Sequence, residues 1–253
     1  MISVEDIYAG FLIRKQEENR EKYKGLESYF SASSAGSCFK KQLYRKTDIK
    51  EPPMDDRVMR LLRLGTVVHS DVESSLKMYM EDPDSSYQSN DIQVFVEHRV
   101  TVPELNIIGH LDIGLVKKES NAIKVLDLKT CASYKWRMKF GRKPDPKGNP
   151  GYNMQLATYL YAFSKDQEIT DNLEMALLWY NKDTSAMREE YVDNKWMDDA
   201  IEYWEELNDY VDDLEDVNNV EAINNIEPGT YGVPMENWEC RYCNFKDIYC
   251  KGV

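Results

Sequence analysis

At 253 residues, with 42% hydrophobic and 30% charged side chains, the chain is long enough to enclose a core and ordinary in composition for a soluble globular protein. No apolar run approaches the roughly eighteen residues needed to span a bilayer, and Met1 to Gly10 has neither the basic nor the apolar region of a signal peptide; a membrane partner is excluded and a cytoplasmic location expected. The net charge of -13 argues against nonspecific nucleic-acid binding by the whole surface but leaves room for a local basic channel.

Residues Val4 to Lys24 alternate apolar and charged positions at helical spacing, with Ile7, Phe11 and Leu12 on one face, and predict a docking or capping helix. Ser31 to Ser34 offer N-caps for a second helix running through Cys38, Phe39, Leu43 and Tyr44. Lys40, Lys41, Arg45 and Lys46 surround Cys38, a basic cluster in an acidic chain or simply a solvated face. Pro52 and Pro53 precede a longer helical stretch, Asp55 to Met80, in which Gly65, His69 and Glu73 recur every four residues and share one face. A lone helical His is more often packed than a ligand, but two acidic strands follow this one.

Ile92 to Val102, Asn106 to Val116 and Ala122 to Leu128 predict three strands of an antiparallel meander. Asp112 and Asp127 each interrupt an apolar strand. Such an acid is costly to bury without a cation or a proton, so two in succession suggest a shared metal. The period of two puts Lys129 on the same face as Asp127, and the Leu128 carbonyl points sideways between them. Tyr134 to Pro150 interleaves Lys135, Arg137, Lys139, Arg142, Lys143 and Lys147 with Tyr134, Trp136 and Phe140. It predicts a mobile loop suited to a single-stranded or frayed nucleic-acid end. Tyr152 to Phe163 reads as a helix with Gln155 and Tyr159 one turn apart, Leu173 to Tyr180 and Glu189 to Val192 as strands, and Trp196 to Val220 as an acidic helix facing away from substrate.

The five cysteines of a cytoplasmic chain are better read for metal than for disulfides. Cys240, Cys243 and Cys250 cluster near the end and need a fourth ligand, for which Cys38 and Cys131 are the candidates.

Together these residues resemble the RecB-type branch of the PD-(D/E)XK nucleases, most closely the iron–sulphur exonucleases typified by the fourth CRISPR-associated protein and the AddB nuclease domain. Gly65, His69 and Glu73 match the branch's G-x-x-x-H-x-x-x-E helix, and Gly109 to Asp112 its G-x-x-D strand. Asp127, Leu128 and Lys129 match D-x-K, and Gln155 and Tyr159 match Q-x-x-x-Y. His110 stands where many relatives carry a small residue, which leaves its role open.

The resemblance implies an α/β (α+β) fold: a central mixed sheet flanked by helices in a restriction-endonuclease-like core. It implies one nuclease domain over 1–253, with the core at about 55–195, and a helical part (1–80) stapled to a C-terminal tail (230–253). His69, Asp112, Asp127 and the Leu128 carbonyl would hold Mg²⁺ or Mn²⁺, Lys129 would orient the attacking water or offset charge in the transition state, and Glu73 would orient His69. Gln155 and Tyr159 would contact substrate or steady Lys129. Cys38 would join the late three cysteines around a 4Fe–4S cluster, with Zn²⁺ as the competitor at the same thiols.

The implied activity is metal-dependent DNA exonuclease cleavage at ends or single strands in bacterial or phage-infected cells, serving recombination, repair or CRISPR adaptation. The alternative is a non-catalytic DNA-binding module of a larger assembly with a helicase or recombination protein. Lys135, Trp136, Arg137 and Lys139 would bind DNA. Alanine at Asp127 or Lys129 is expected to abolish cleavage and leave the fold intact.

Overall fold

The computed structural model describes residues 3–22, 25–26, 28–47, 49, 54–85, 91–144, 148–214, 218–226, 240 and 243–250. The expectations for Pro52, Pro53, Lys147 and residues 227–239 lie outside these.

Alternating apolar residues build the meander where the pattern places it: β2 (Ile92–Val102), β3 (Ile107–Lys117) and β4 (Ala122–Cys131), antiparallel in that order. β4 runs three residues beyond its expected end. β5 (Leu173–Asn181) pairs parallel to β4, which requires a crossover, supplied by α4 (Ser133–Phe140) and α5 (Pro150–Asp166). β6 (Met187–Val192) closes the edge antiparallel to β5. The sheet is therefore mixed, as expected for the class. α3 (Asp56–Glu81) starts where the Asp55 carboxylate accepts hydrogen bonds from the Arg57 and Val58 amides; it lays Val72 and Leu76 on one face of the sheet, against Ile113, Leu126 and Ala176. α5 covers the other face, and α6 (Trp196–Asp213) packs Ala200, Tyr203, Trp204 and Leu207 into the same core.

Two irregularities position the site. The β3–β4 ladder runs from Lys117↔Ala122 to Ile113↔Leu126 and stops, while β4 stays laddered to β5 as far as Cys131. The two strands thus fork at Asp112 and Asp127. The edge of β3 that β4 vacates is taken at Ile107 and Ile108 by the short β1 (Phe30–Ser31).

The second irregularity is a slip in side-chain alternation. Phe95 and His98, three residues apart on β2, both pack edge-on against Phe163 of α5. Leu111 and Ile113, two residues apart on β3, belong to the cores on opposite faces. Between them sit Glu97, whose φ of 50° is left-handed, and Asp112 across the ladder. Both strands slip together, so their register survives and their side chains change face.

Four expectations are corrected. Ser31 to Ser34 cap no helix: Phe30–Ser31 joins the sheet, Ala32–Ser34 is a 3-10 turn, and α2 (Phe39–Tyr44) begins only after Cys38. The stretch from Tyr134 is not a mobile loop at its start but α4. The acidic helix ends at Asp213, and a separate α7 (Val220–Asn224) follows. In α1 (Val4–Lys22) Leu12 is buried, but Ile7 and Phe11 are exposed. The basic cluster around Cys38 is partly internal as well. Lys40 is buried and donates to the Asn224 carbonyl at 2.8 Å, and the Lys46 ammonium lies 4.1 Å from the Phe30 ring.

Candidate active site

Forking leaves the Leu128 amide without a β3 carbonyl, and the Asp112 carboxylate fills that place: the Leu128 N–H donates to Asp112 Oδ2 at 2.7 Å. His69 Nδ1 approaches the same oxygen at 3.5 Å from α3. One ligand atom each of His69, Glu73 and Asp112 lies within 4.8 Å of the others. Gly65, one turn before His69, faces the Thr130 hydroxyl so closely that an added Cβ would stand 3.3 Å from it; this lets α3 lie against β4. Gly109 has a similar reason, since a Cβ there would meet Ala32 at 2.8 Å and the Tyr159 ring at 2.9 Å.

Asp127 and Lys129 face α5, as period-two spacing requires. Asp127 is 2% exposed. Gln155 serves both: its Nε2 donates to Asp127 Oδ1 at 3.0 Å, and its Oε1 accepts from Lys129 Nζ at 2.8 Å. Lys129 Nζ also stands 2.6 Å from Asp127 Oδ2 and 4.7 Å from the Tyr152 ring. That Asp127 oxygen has the ion-pair contact but no partner of hydrogen-bond geometry. Tyr159 is buried beneath, its phenol within hydrogen-bond reach of Gln155.

The site holds protons. Burial pushes the Glu73 carboxyl up to about 7, helped by the charge and hydrogen bond of Glu97 and then by Asp112. Burial raises Asp127 too, although the Lys129 charge opposes it. For His69 burial works against the charged ring, but Asp112 and then Asp127 outweigh it and the pKa rises. For Lys129 burial is likewise outweighed by Asp127, so the ammonium stays charged.

A group whose pKa is raised by folding stabilises the folded state at low pH and loses that contribution as pH climbs through the folded value, here from the ordinary 4.5 to about 7 for Glu73. Protein held in EDTA is therefore expected to melt at a lower temperature at pH 8 than at pH 6. Mn²⁺ should raise Tm more at pH 8, where it competes with fewer protons. A Tm in EDTA that rises between these pH values would contradict this.

The donor set, an imidazole nitrogen and two carboxylate oxygens beside a buried Asp127 oxygen with no hydrogen bond, fits a hard divalent ion with some affinity for nitrogen. Glu73 offers a ligand atom in the same group as His69 and Asp112, and Asp127, beside that group, pairs with Lys129 and accepts from Gln155. Sequence reasoning missed Glu97 and Tyr152. The signal for Glu97 was a carboxylate directly after the apolar run Val94-Phe95-Val96, in the middle of a predicted strand.

The expected DNA contacts are only partly available. Lys135 Nζ lies 4.6 Å from the Tyr152 ring and 5.6 Å from Trp179, and Lys139 pairs with Glu190 at 2.8 Å. Trp136 packs on Phe140 and the core. These three are on the packed face of α4. Its outer face carries Arg137 with Tyr134 and Met138.

The cysteines are all free. Cys38 precedes α2, and its thiol is raised first by burial and further by Cys250 and Cys240. The Tyr44 hydroxyl is raised by burial and then by Cys250, Cys38 and Cys243. Cys131 is buried, and the charges that act on it are Lys135, Lys182 and Asp183. Among the described residues no three thiols close to within 4.8 Å. Nor does the tail lack apolar anchorage, since Phe245 is buried against Tyr44.

The sequence model of the PD-(D/E)XK nuclease superfamily matches residues 72–251, a span that begins just after His69. No curated protein matches the chain. Among solved structures, SSO0001 is 19% identical with a TM-score of 0.49, over 96% of this chain and 95% of its own. A candidate exonuclease from Eubacterium rectale is 16% identical with a TM-score of 0.48, over 82% of this chain and 87% of its own.

Proposed function

The chain belongs to the PD-(D/E)XK nuclease superfamily, and on that footing we propose that it is a DNA exonuclease of the RecB-type, iron–sulphur branch, cutting at ends or in single strands. The observation that carries this reading is the fork, where His69, Glu73 and Asp112 converge beside a charged, half-buried Lys129.

His69, Asp112, Asp127 and the Leu128 carbonyl would hold Mg²⁺ or Mn²⁺, with Glu73 and Glu97 as further carboxylates at its edge. A divalent ion held by these residues would polarise the scissile phosphate and acidify a water. Lys129, kept protonated by Asp127, directs its ammonium at the attacked phosphate and offsets the charge that develops on it. Gln155 bridges Asp127 and Lys129 and so holds the acid and the cation in register, and the buried Tyr159 steadies Gln155 from below. Both residues would position the site, steadying Lys129.

Cys38, Cys240, Cys243 and Cys250 are assigned to a 4Fe–4S cluster. Its support is that the charges of Cys250 and Cys240 act on the Cys38 thiol and those of Cys250, Cys38 and Cys243 on the Tyr44 hydroxyl, which puts the early and late cysteines near one another. The protein is placed in the cytoplasm of bacterial or phage-infected cells, in recombination, repair or CRISPR adaptation, with residues 1–253 as one nuclease domain. No helix among the described residues is long and apolar enough to cross a membrane.

The test is digestion of end-labelled linear and of circular single-stranded DNA with Mn²⁺, Mg²⁺ or EDTA. Shortening of linear DNA from its ends, strongest with Mn²⁺ and absent in EDTA, is the expected result. Tight DNA binding without cleavage under any of the metals would favour the second reading, a non-catalytic module of a larger assembly.

A further inference from the structure

α3 continues past the sheet: on one side Arg60 pairs with Glu5 of α1 at 3.6 Å and Arg63 lies over the Phe11 ring, while the side in line with His69 is exposed among the described residues. Its sheet-facing stripe reads Gly65, His69, Val72 and Leu76, running from Thr130 back toward Leu126, so α3 is antiparallel to β4. Extended in the other direction, the same stripe at intervals of three and four falls on Leu62, Leu61 and Val58, which are 55%, 49% and 42% exposed. Nine residues of α3 precede Gly65 and, at about 1.5 Å each, carry the helix about 14 Å beyond Thr130. α4 starts two residues after β4 ends and packs through Lys135 and Lys139 against Tyr152 and Trp179 on the α5 face. Two walls therefore flank the end of β4 from its two faces. One is an apolar stripe in line with His69, and the other is a basic helix with Arg137 and Tyr134 outward.

We propose that Val58, Leu61 and Leu62 form a nucleobase-binding wall, on which unstacked bases of a single strand lie while its phosphates face α4 and the fork; this rests on the nuclease reading above. Charge supports that occupant. In a chain of net charge -13 the exposed Arg137 on the outer face of α4, with the exposed Arg142 and Lys143 just after it, supplies cations, and the stripe continues through Gly65 to His69 in the candidate active site. Leu62 is seven residues from His69, about 10 Å along the helix. An intact duplex would press its charged backbone on the leucines, whereas a single strand can offer bases to one wall and phosphates to the other. The stripe selects single strands and frayed ends by rewarding exposed bases.

Binding of a fluorescein-labelled oligothymidylate in EDTA, read by anisotropy across a salt titration, tests this on the full chain. Leu61→Ser/Leu62→Ser should weaken binding about tenfold, the scale of a lost base stack, with an unchanged salt slope because no phosphate contact is removed. Leu61→Phe/Leu62→Phe should restore it. Hydrolysis of thymidine 5′-(p-nitrophenyl phosphate) with Mn²⁺, which reaches the site without the wall, should be unaffected by either variant. Unchanged binding by the serine variant would overturn the proposal. So would sedimentation showing a wild-type oligomer that the serine variant reduces to monomer, since the stripe would then be a subunit contact. If wild type cleaves neither substrate, the nuclease reading fails by itself, and the binding comparison still decides the wall.

Discussion

Lys129→Ala is expected to lower kcat on linear DNA by about a thousandfold, the scale of losing a preorganised charge aimed at the transition state. Asp127→Ala should be as inactive. The sequence alone led to the expectation that either variant keeps its fold, and the structure corrects this. Asp127 is 2% exposed and pairs with Lys129 at 2.6 Å, so removing one partner strands the other, a cost of about 3–5 kcal/mol. The double variant should therefore be more stable than either single one. The two singles should also respond differently to Mn²⁺. In Lys129→Ala a divalent ion can replace the lost cation beside Asp127 and restore Tm, whereas in Asp127→Ala it finds a ligand missing and Lys129 still charged. Full activity of purified Asp127→Ala would remove this residue from the chemistry, and Mn²⁺ rescue of both variants alike would remove it from the ligand set.

The second large effect is expected at Cys38. Protein purified without oxygen should be brown and contain iron and labile sulphide in equal amounts; Cys38→Ser should bleach it, and Cys131→Ser should not. Phe245 is also buried against Tyr44, so the tail should loosen without detaching. A loss of about 3 kcal/mol would lower Tm by about 6–12 °C in a chain of this size. Cys38→Ser should lose nuclease activity chiefly through this instability, because Cys38 caps α2 and is no part of the fork. A colourless wild type holding zinc would replace the cluster but keep the ligands. A brown Cys38→Ser with full iron would displace Cys38 itself.

Much of the site could be read from spacing because each motif concerns one face of one element. D-x-K on a strand puts Asp127 and Lys129 together whatever lies opposite, and four-residue intervals put Gly65, His69 and Glu73 on one side of α3. Apolar alternation marked β2, β3 and β4 for the same reason. What periodicity leaves open is the identity of the opposing surface. Lys135 and Lys139 look like free cations in a Gly- and Pro-containing basic stretch, yet α4 turns them onto Tyr152, Trp179 and Glu190, because their stems cover aromatic surface while their charges find partners. Ser31 to Ser34 resemble helix caps, but the vacated edge of β3 offers Phe30 and Ser31 backbone partners that a local cap cannot match.

The sequence by itself determined most of the elements and the candidate residues for metal-assisted chemistry, since these follow from local periodicity and side-chain type, and the mixed-sheet class came through its resemblance to a family. Only the tertiary structure decided that β3 and β4 fork at their two aspartates, that a paired slip at Glu97 and Asp112 brings a further carboxylate toward Glu73, and that Asp127 turns to Lys129 and Gln155. These are outcomes of pairing between segments far apart in the chain, where a buried amide, a buried charge or an empty strand edge must find its partner from whatever surface packing brings near.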